Sequence, residues 1–410
     1  MANDTDVLIA GGGLVGSVLA LALAAGGKSI VLIEAQSHSA FAASGFDGRS
    51  YALSPASRRL LDSLGVWADL TENDQVQPIR EIKVSDGSPG KGASPCHLRF
   101  DRNDLDDGPL GFMVEDRHLR RTLLRRLESD DRVSVSPETR VTDHHVHPAG
   151  VEVELSDGRI IRATLLAGCD GRNSRIAEQS GIRRIGWGYT QSSLVCSVSH
   201  DRPHDGIAHQ FFTPAGPLAI LPLRGKRSSI VWTEAQDEAI RIQGLDDAGY
   251  LDCLRPVFGR FLGDIALAGD RFIYPLGLSI AERFVSDRVV LVGDSAHGIH
   301  PLAGQGLNIS LKDVGALAEI LQDAARRGED IGAPFTLDRY QMARRFDASV
   351  FGAATDTINR LFSNPHPALR SLRRLGLAAV NGMPDLKRQF VRVAAGYGWA
   401  VPRSMRDDPW

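Results

Sequence analysis

Three glycines in the spacing Gly11-x-Gly13-x-x-Gly16 stand near the start of the chain and constrain everything around them. The apolar run Asp6–Ala10 precedes them and reads as a strand, and the Ala/Leu-rich stretch LVGSVLALALAAGG that follows reads as a helix. A second apolar run, Ser29–Ile33, ends at Glu34, so the chain opens with a βαβ unit. Glycine is required at each position for a different reason. Gly11 permits the tight turn, Gly13 lets backbone N–H groups approach a pyrophosphate at the helix N-terminus, and Gly16 allows helix and strand to pack closely. A glycine-rich turn alone is as often structural, but with strand, helix and acid in place this is a nucleotide-binding fingerprint. Glu34 can accept hydrogen bonds from both hydroxyls of an adenosine ribose and repels a 2′-phosphate, so FAD or NAD fits better than NADP.

The chain has 410 residues, more than one core usually holds, which predicts two interleaved domains or one domain with a large insertion. Its formal net charge is -3 and no dense Lys/Arg block lies outside the last fifth, which argues against general nucleic-acid binding and for a small-molecule partner. Cys96, Cys169, Cys196 and Cys253 form no CxxC pair, so they are expected to be reduced thiols of a cytoplasmic protein, with no metal site. The N-terminal MANDTD has two acids and no basic segment, so no secretory signal is expected. No apolar run reaches the roughly 18 residues of a membrane span, leaving peripheral contact as the only expected membrane association.

Further along, SPASRRLLDSLGVWADL and EDRHLRRTLLRRLES have helical spacing. Between them the Gly/Asp/Ser/Pro-rich segment from Ser85 to Pro109 predicts a loop or short hairpin. Residues 132–165 alternate as strands do and run into AGCDGRNSR. Runs such as SLVCSVS, LAILPL and SSIVWT predict a sheet over 190–280. RVVLVG (288–293) reads as a buried strand, LNISLKDVGALAEILQDAARR as a helix, and the tail from Pro334 as mostly helical.

At Gly293-Asp294 a strand ends in GDSAHGIHPLAGQGLNISLKD, which brings a second helix N-terminus into play. A flavin ring gains negative charge at N1 and the C2 carbonyl on reduction, which suits backbone N–H groups presented by such a glycine-rich loop. Asp294 would bind a ribityl or ribose hydroxyl, since charge repulsion forbids a phosphate. GGGLVG, the Asp170-Gly171 motif and GDSAHGIHPLAGQGLN, in this order over nearly the whole chain, resemble the three fingerprints of the single-component flavoprotein aromatic monooxygenases. The string His300-Pro301-Leu302-Ala303-Gly304-Gln305-Gly306-Leu307-Asn308 followed by Asp313 resembles the signature of the ubiquinone-biosynthesis hydroxylases (2-polyprenylphenol and 2-polyprenyl-6-methoxyphenol hydroxylases). Ser310 departs from that pattern, where Gly is usual. Asp47-Gly48-Arg49-Ser50 with YALSPASRRLLDSLGVW, and LFSNPHPALRSLRRLGLAAVNGMPDLKR, are similar to the same branch.

The resemblance implies an α/β fold: a Rossmann-like FAD-binding domain (1–80, 100–185 and 285–335) interleaved with a sheet-based substrate domain (81–99 and 186–284), and a helical C-terminal region (336–410). It implies bound FAD, NAD(P)H as a transient donor, since no second GxGxxG unit exists, and O2 as co-substrate. A flavin C4a-hydroperoxide would transfer oxygen to the ring of a polyprenylated phenol. Arg49 would approach the flavin or its phosphates, Arg120 would contact the cofactor, and Asp170 would hold the adenosine side while its loop admits the nicotinamide donor. On position alone Arg120 is more often a solvated helix residue, and Asp170-Gly171 an ordinary turn. His297 and His300 lie near the expected flavin edge without metal spacing. His300 is a candidate base, and Pro301 a candidate that shapes the loop. Phe211-Phe212, Leu221-Pro222 and Tyr274-Pro275-Leu276 are the expected source of the ring pocket, with core packing as the alternative. Leu369, Leu372, Leu375 and Leu377 beside Arg370, Arg373 and Arg374 would meet a membrane surface or a biosynthetic complex, or pack as an ordinary amphipathic helix. The alternatives are a hydroxylase of a small aromatic acid, with Arg224 available for its carboxylate, a non-oxygenating FAD or NAD oxidoreductase, and a non-catalytic subunit. The Trp-x-Trp-x-Ile stretch of a halogenase is missing, and all three cofactor motifs are intact.

Overall fold

The βαβ unit forms where the glycine spacing puts it. Strand Thr5–Ala10 pairs in parallel with Ile30–Ile33, and helix α1 (Leu14–Ala25) makes the crossover. The structure, a computed structural model, describes residues 3–86, 97–101, 104–105, 108–299, 304–362, 380, 382–398 and 400–406. Helix α1 is apolar on every side because it is covered on every side: by the sheet, by α2 (Asp116–Glu128) and by α3 (Gly306–Arg326).

The parallel part of the first sheet runs Val133–Ser136, Ile30–Ile33, Thr5–Ala10, Ile160–Gly168, Val289–Leu291. Its inner strands, VLIA and VVL, are unbroken apolar runs, as burial on both faces demands. Strands Val141–His147 and Gly150–Leu155 extend it antiparallel from Ile160–Gly168.

A second, mostly antiparallel sheet of nine strands is built around the seventeen-residue strand Arg184–His200, which pairs with Arg227–Ala235 on one side and Phe272–Ala281 on the other. Its far edge holds Ile207–Phe212, Glu81–Asp86 and His97–Asp101. The last two pair antiparallel, so the described ends of the 85–109 segment form a hairpin. Helices Gln236–Gln243 and Asp247–Phe258 close one face, with Tyr250 and Phe258 of the second helix clustered with Leu194 and Trp232 of the sheet. The opposite face carries Ala208, Leu221 and Leu223 onto Ile79 and Met113 of a three-stranded sheet, Ser50–Leu53, Gly111–Glu115 and Val76–Ile79. The stretch SPASRRLLDSLGVWADL, continuous by spacing, is two helices, Pro55–Ser63 and Val66–Glu72, because Gly65 turns left-handed at φ 72° between them.

The chain passes between the large sheets within a few residues: Val289–Leu291 belongs to the first and His297–Gly298 to the second. Helix α4 (Pro334–Phe362) spans the same seam, and α5 (Pro384–Ala394) lies beyond it. Leu369, Leu372, Leu375 and Leu377 lie outside the described residues. Among the described residues no helix is long and apolar enough to cross a membrane.

At the first turn, backbone meets backbone. A Cβ on Gly16 would lie 1.9 Å from the Gly11 carbonyl oxygen, and one on Gly11 would lie 2.4 Å from that of Cys169. Neither neighbour is a side chain that can swing away. Gly16→Ala is therefore expected to destabilise the protein by ~1–3 kcal/mol, read as a lower urea midpoint; an unchanged midpoint would contradict the close approach.

Candidate functional site

The first motif frames a cleft of about 430 Å3 that Gly11, Gly13, Glu34, Arg140, Asp170 and Gly171 help to line. Helix α1 begins at this cleft with no side-chain cap, so its first N–H groups and the positive end of its dipole are free for an anion. Nothing lies within 4 Å of a Cβ on Gly13, so the space beside that residue is open, unlike the space beside Gly11 and Gly16. The Glu34 carboxylate is steadied by the Gln36 N–H at 2.7 Å, at the end of the second strand. Asp170 accepts from the Ile176 N–H at 3.2 Å through Oδ2, while its buried Oδ1 has no partner among the described residues. An acceptor pair at the ribose end and an uncapped helix at the phosphate end fit the adenosine diphosphate half of FAD.

Arg49 and Arg120, far apart in sequence, converge on Asp116. Arg49 Nη2 lies 3.3 Å and Arg120 Nε 2.8 Å from its carboxylate. Arg49 is also held by Asp47 at 2.6 Å. Burial works against the Arg49 charge, but the bond to Asp47 and the field of Asp116 outweigh it and hold its pKa above the ordinary value. Arg120 is not a solvated face residue: its guanidinium reaches the Gln36 side chain and lies over Phe41. Sequence reasoning missed Asp116, although its position one helical turn before Arg120 was a signal. It also missed the neighbouring Glu115, 3% exposed, which pairs with Arg117 at 2.7 Å and with Arg227 of the nine-stranded sheet at 2.6 Å.

The third motif lies at the seam. Asp294 Oδ2 is 3.3 Å from Arg172 Nε, and its backbone carbonyl accepts from Arg184, so the Asp170-Gly171 loop and the Gly293-Asp294 turn face each other. Helix α3 starts at Gly306 with no side-chain cap, giving the second free helix N-terminus, and nothing lies within 4 Å of a Cβ on Gly306. Gly304 is left-handed at φ 68° and close to Ala52. Gln305 precedes the helix, and Leu307 packs on the main core. Asn308 accepts from the Ser54 N–H at 2.8 Å and donates to the Ala52 carbonyl at 2.9 Å, pinning the α3 start to strand Ser50–Leu53. Ser310 donates to the Gly306 carbonyl at 3.1 Å within its own helix, and its side chain sits 3.1 Å from where a Cβ of Gly293 would be. His300, Pro301, Leu302 and Ala303 lie outside the described residues. His297 is brought against Asp313, Nε2 to Oδ2 2.6 Å, and Arg344 reaches the other oxygen of that carboxylate at 2.7 Å.

Of the expected pocket residues, strand alternation puts Phe211 and Phe212 on opposite faces, Phe211 in the cluster with Leu218 and Trp232. Phe212 stacks on Phe362 of α4 at 3.9 Å, and Leu221 faces Ala208 and Met113. Tyr274 is 40% exposed and stacks on Phe272, beneath Arg49. Arg224 is paired with Asp74, so it is not a free cation for a substrate carboxylate.

Glu115 gives the site a pH dependence. Burial raises its pKa, but His118, Arg227 and Arg117 outweigh that and bring it to about 2, from 4.5. A depressed carboxyl stabilises the fold above its unfolded pKa, and that stability is lost as pH falls toward 2. Between pH 5 and 2 the wild type should lose up to ~3 kcal/mol more than Glu115→Gln, measured by urea unfolding across that range; equal losses would count against the pairing.

The family described as "FAD binding domain" matches residues 4–349. Ubiquinone hydroxylase UbiL of Rhodospirillum rubrum is 44% identical over 98% of this chain and 93% of its own length. The 3-demethoxyubiquinol 3-hydroxylase of Escherichia coli is 36% identical over 96% and 99%, and human ubiquinone biosynthesis monooxygenase COQ6, mitochondrial, 32% over 95% and 92%. The solved p-nitrophenol 4-monooxygenase PnpA of Pseudomonas putida superposes with a TM-score of 0.81 over 98% of this chain and 100% of its own, at 21% identity, a likeness of fold. The chain belongs to the FAD-binding-domain family, among the FAD-dependent monooxygenases of the ubiquinone-biosynthesis hydroxylase branch.

Proposed function

We propose that the protein hydroxylates the aromatic ring of a polyprenylated phenol on the path to ubiquinone, using FAD, NAD(P)H and O2. The 44% identity to a ubiquinone hydroxylase over 98% of the chain carries the reading. The two uncapped helix N-termini beside the seam support it.

Bound FAD would supply the redox chemistry by which the two electrons of NAD(P)H let O2 give one oxygen atom to the ring and the other to water, and the chain's residues bind, orient and exclude water. The amides from Gly11 to Gly16 hold the pyrophosphate, with Glu34 on the adenosine ribose, Asp294 on a ribityl hydroxyl and Asp170 on the adenosine side. Arg49 and Arg120, spaced by Asp116, face the cofactor's phosphates or ring. The N–H groups from Gly304 through Leu307 face the flavin N1/C2 edge, where negative charge is greatest, and Asn308 acts by fixing that loop to strand Ser50–Leu53. Pro301 shapes the same loop, and His300 takes the phenol proton. The nine-stranded sheet face with Phe212 and Leu221 covers the ring. The proposed division keeps 1–80, 100–185 and 285–335 as the FAD-binding domain, 81–99 and 186–284 as the substrate domain and 336–410 as the C-terminal region.

The decisive experiment is an anaerobic and aerobic assay of the purified holoprotein. Yellow protein, NAD(P)H oxidation stimulated by a prenylated phenol, and a product heavier by one oxygen by mass spectrometry are expected. Flavin-bound protein that oxidises NAD(P)H without a hydroxylated product would sink the reading. Gly13→Ala separates cofactor binding from folding: the open space at Gly13 predicts apoprotein stability within ~0.5 kcal/mol of wild type with clearly weaker FAD binding by fluorescence titration. Equal FAD affinity would remove Gly13 from the phosphate site.

Peripheral membrane contact is part of the proposal. Met342 and Phe346 on α4 are 71% and 64% exposed, and Phe390 and Val393 on α5 are each 54% exposed. Co-sedimentation with phospholipid vesicles is expected, and is expected to fall in Phe346→Ser with Phe390→Ser; a protein that stays in the supernatant would refute the contact.

A further inference from the structure

Five residues carry the chain from Leu291 in one sheet to His297 in the other, and the sheets meet only part of their polar groups: the Gly168 carbonyl takes the Val292 N–H at 3.0 Å, Ala281 donates to the Ala296 carbonyl at 2.8 Å and Arg184 to the Asp294 carbonyl at 3.2 Å. Ser295 Oγ meets the Val292 N–H at 3.1 Å and the Val292 carbonyl at 2.8 Å. The Gly293 N–H and the His297 side chain, one at each end of the turn, fall on one carboxylate. Asp313 of α3 accepts the Gly293 N–H at 3.0 Å and His297 Nε2 at 2.6 Å through Oδ2, and Arg344 Nε of α4 at 2.7 Å through Oδ1. Side-chain exposures at this cluster are 2% for His297 and 0% for Asp313 and Arg344.

We propose that Asp313 is the positioning residue of the flavin-facing turn, with His297 and Arg344 as the groups that fix it. Asp313 touches both ends of the Gly293–His297 turn, so its place sets where the carboxylate of Asp294 points. Around it Asp313 and Asp347 face Arg344 and Lys312, with Lys312 Nζ 2.8 Å from Asp347 and Arg344 also paired to Asp347. His297 donates to it through Nε2–H, as an accepting carboxylate requires. Removing that donor leaves a buried acceptor short of a partner beneath Asp294, and the turn relaxes around it. Arg344 extends the arrangement: the helix it stands on reaches the nine-stranded sheet through Asp356 to Tyr189 at 2.7 Å and Asn359 to Gln191 at 3.1 Å.

The inference rests on the reading that Asp294 faces FAD, and the test separates the two. FAD is titrated into apoprotein of the wild type, His297→Ala and His297→Gln, following flavin fluorescence and the visible spectrum, with apoprotein melting recorded in parallel. Wild type that takes up no FAD overturns the reading and the inference with it. With wild type binding, His297→Ala is expected to raise the FAD Kd about 10- to 100-fold and to shift the visible band. His297→Gln, whose amide N–H can still donate, is expected to recover most of the affinity. A Kd for His297→Ala equal to wild type overturns the inference while leaving the reading intact. So does a loss that His297→Gln does not rescue although its melting matches wild type. Asp313→Asn tests the acceptor directly: a folded variant with wild-type Kd and spectrum also overturns the proposal.

Discussion

A buried carboxylate at the seam of two sheets is the interaction on which the rest of this structure depends. Removing Asp313 from water is costly unless its lone pairs are met by donors. Burial opposes its ionisation, but His297 and Arg344 outweigh that and hold it below the usual carboxylate range. The donors that satisfy it come from three places: the turn leaving the first sheet, the strand entering the second, and α4. One ion thus fixes three elements that no common sheet or helix ladder joins.

Helix α4 depends on that anchor. It spans about 43 Å at the usual helical rise. Its first half lies on the nucleotide sheet, with the Tyr340 hydroxyl on the Leu291 carbonyl at 3.0 Å and the Gln341 side chain on the Phe284 N–H at 2.9 Å. Its last turns reach the other sheet through Asp356, Asn359 and Phe362. A second tie between the sheets lies across the site, where Glu115 at the start of α2 takes Arg227 from the nine-stranded sheet. The seam is therefore closed by charge at two points while apolar surface fills the space on either side, and it holds its shape where the cofactor's two anionic regions are proposed to lie.

Much of the site was legible in the chain because its chemistry is local. Gly11, Gly13 and Gly16 act over a single turn, and the strand and helix that flank them follow from periodicity. Gly304 needs a left-handed backbone that its residue type supplies. The pairs that organise the site were not legible. Asp313 is separated from His297 and Arg344 by 16 and 31 residues, and Glu115 from Arg227 by 112. No spacing rule relates such residues. Arg120 was named as a cofactor contact through the resemblance, while its position alone gave a solvated helix residue, since Phe41 and Gln36 come from another part of the chain. Phe211 and Phe212 illustrate the limit from another side: alternation says that they face opposite ways but not which face the site occupies.

The sequence by itself determined the elements whose geometry is set within a few residues: the first βαβ unit, the glycine turns, the uncapped helix starts and the acid after the second strand. These follow from steric exclusion, hydrophobic period and the orphaned amides of a helix end, all of which act along the chain. Only the tertiary structure decided which buried charges meet, because ion pairs across a seam arise from how sheets and helices pack. It decided that Asp116 joins Arg49 to Arg120, that Asp313 joins two sheets to α4, and that Phe211 packs under the two helices while Phe212 stacks on Phe362 of α4.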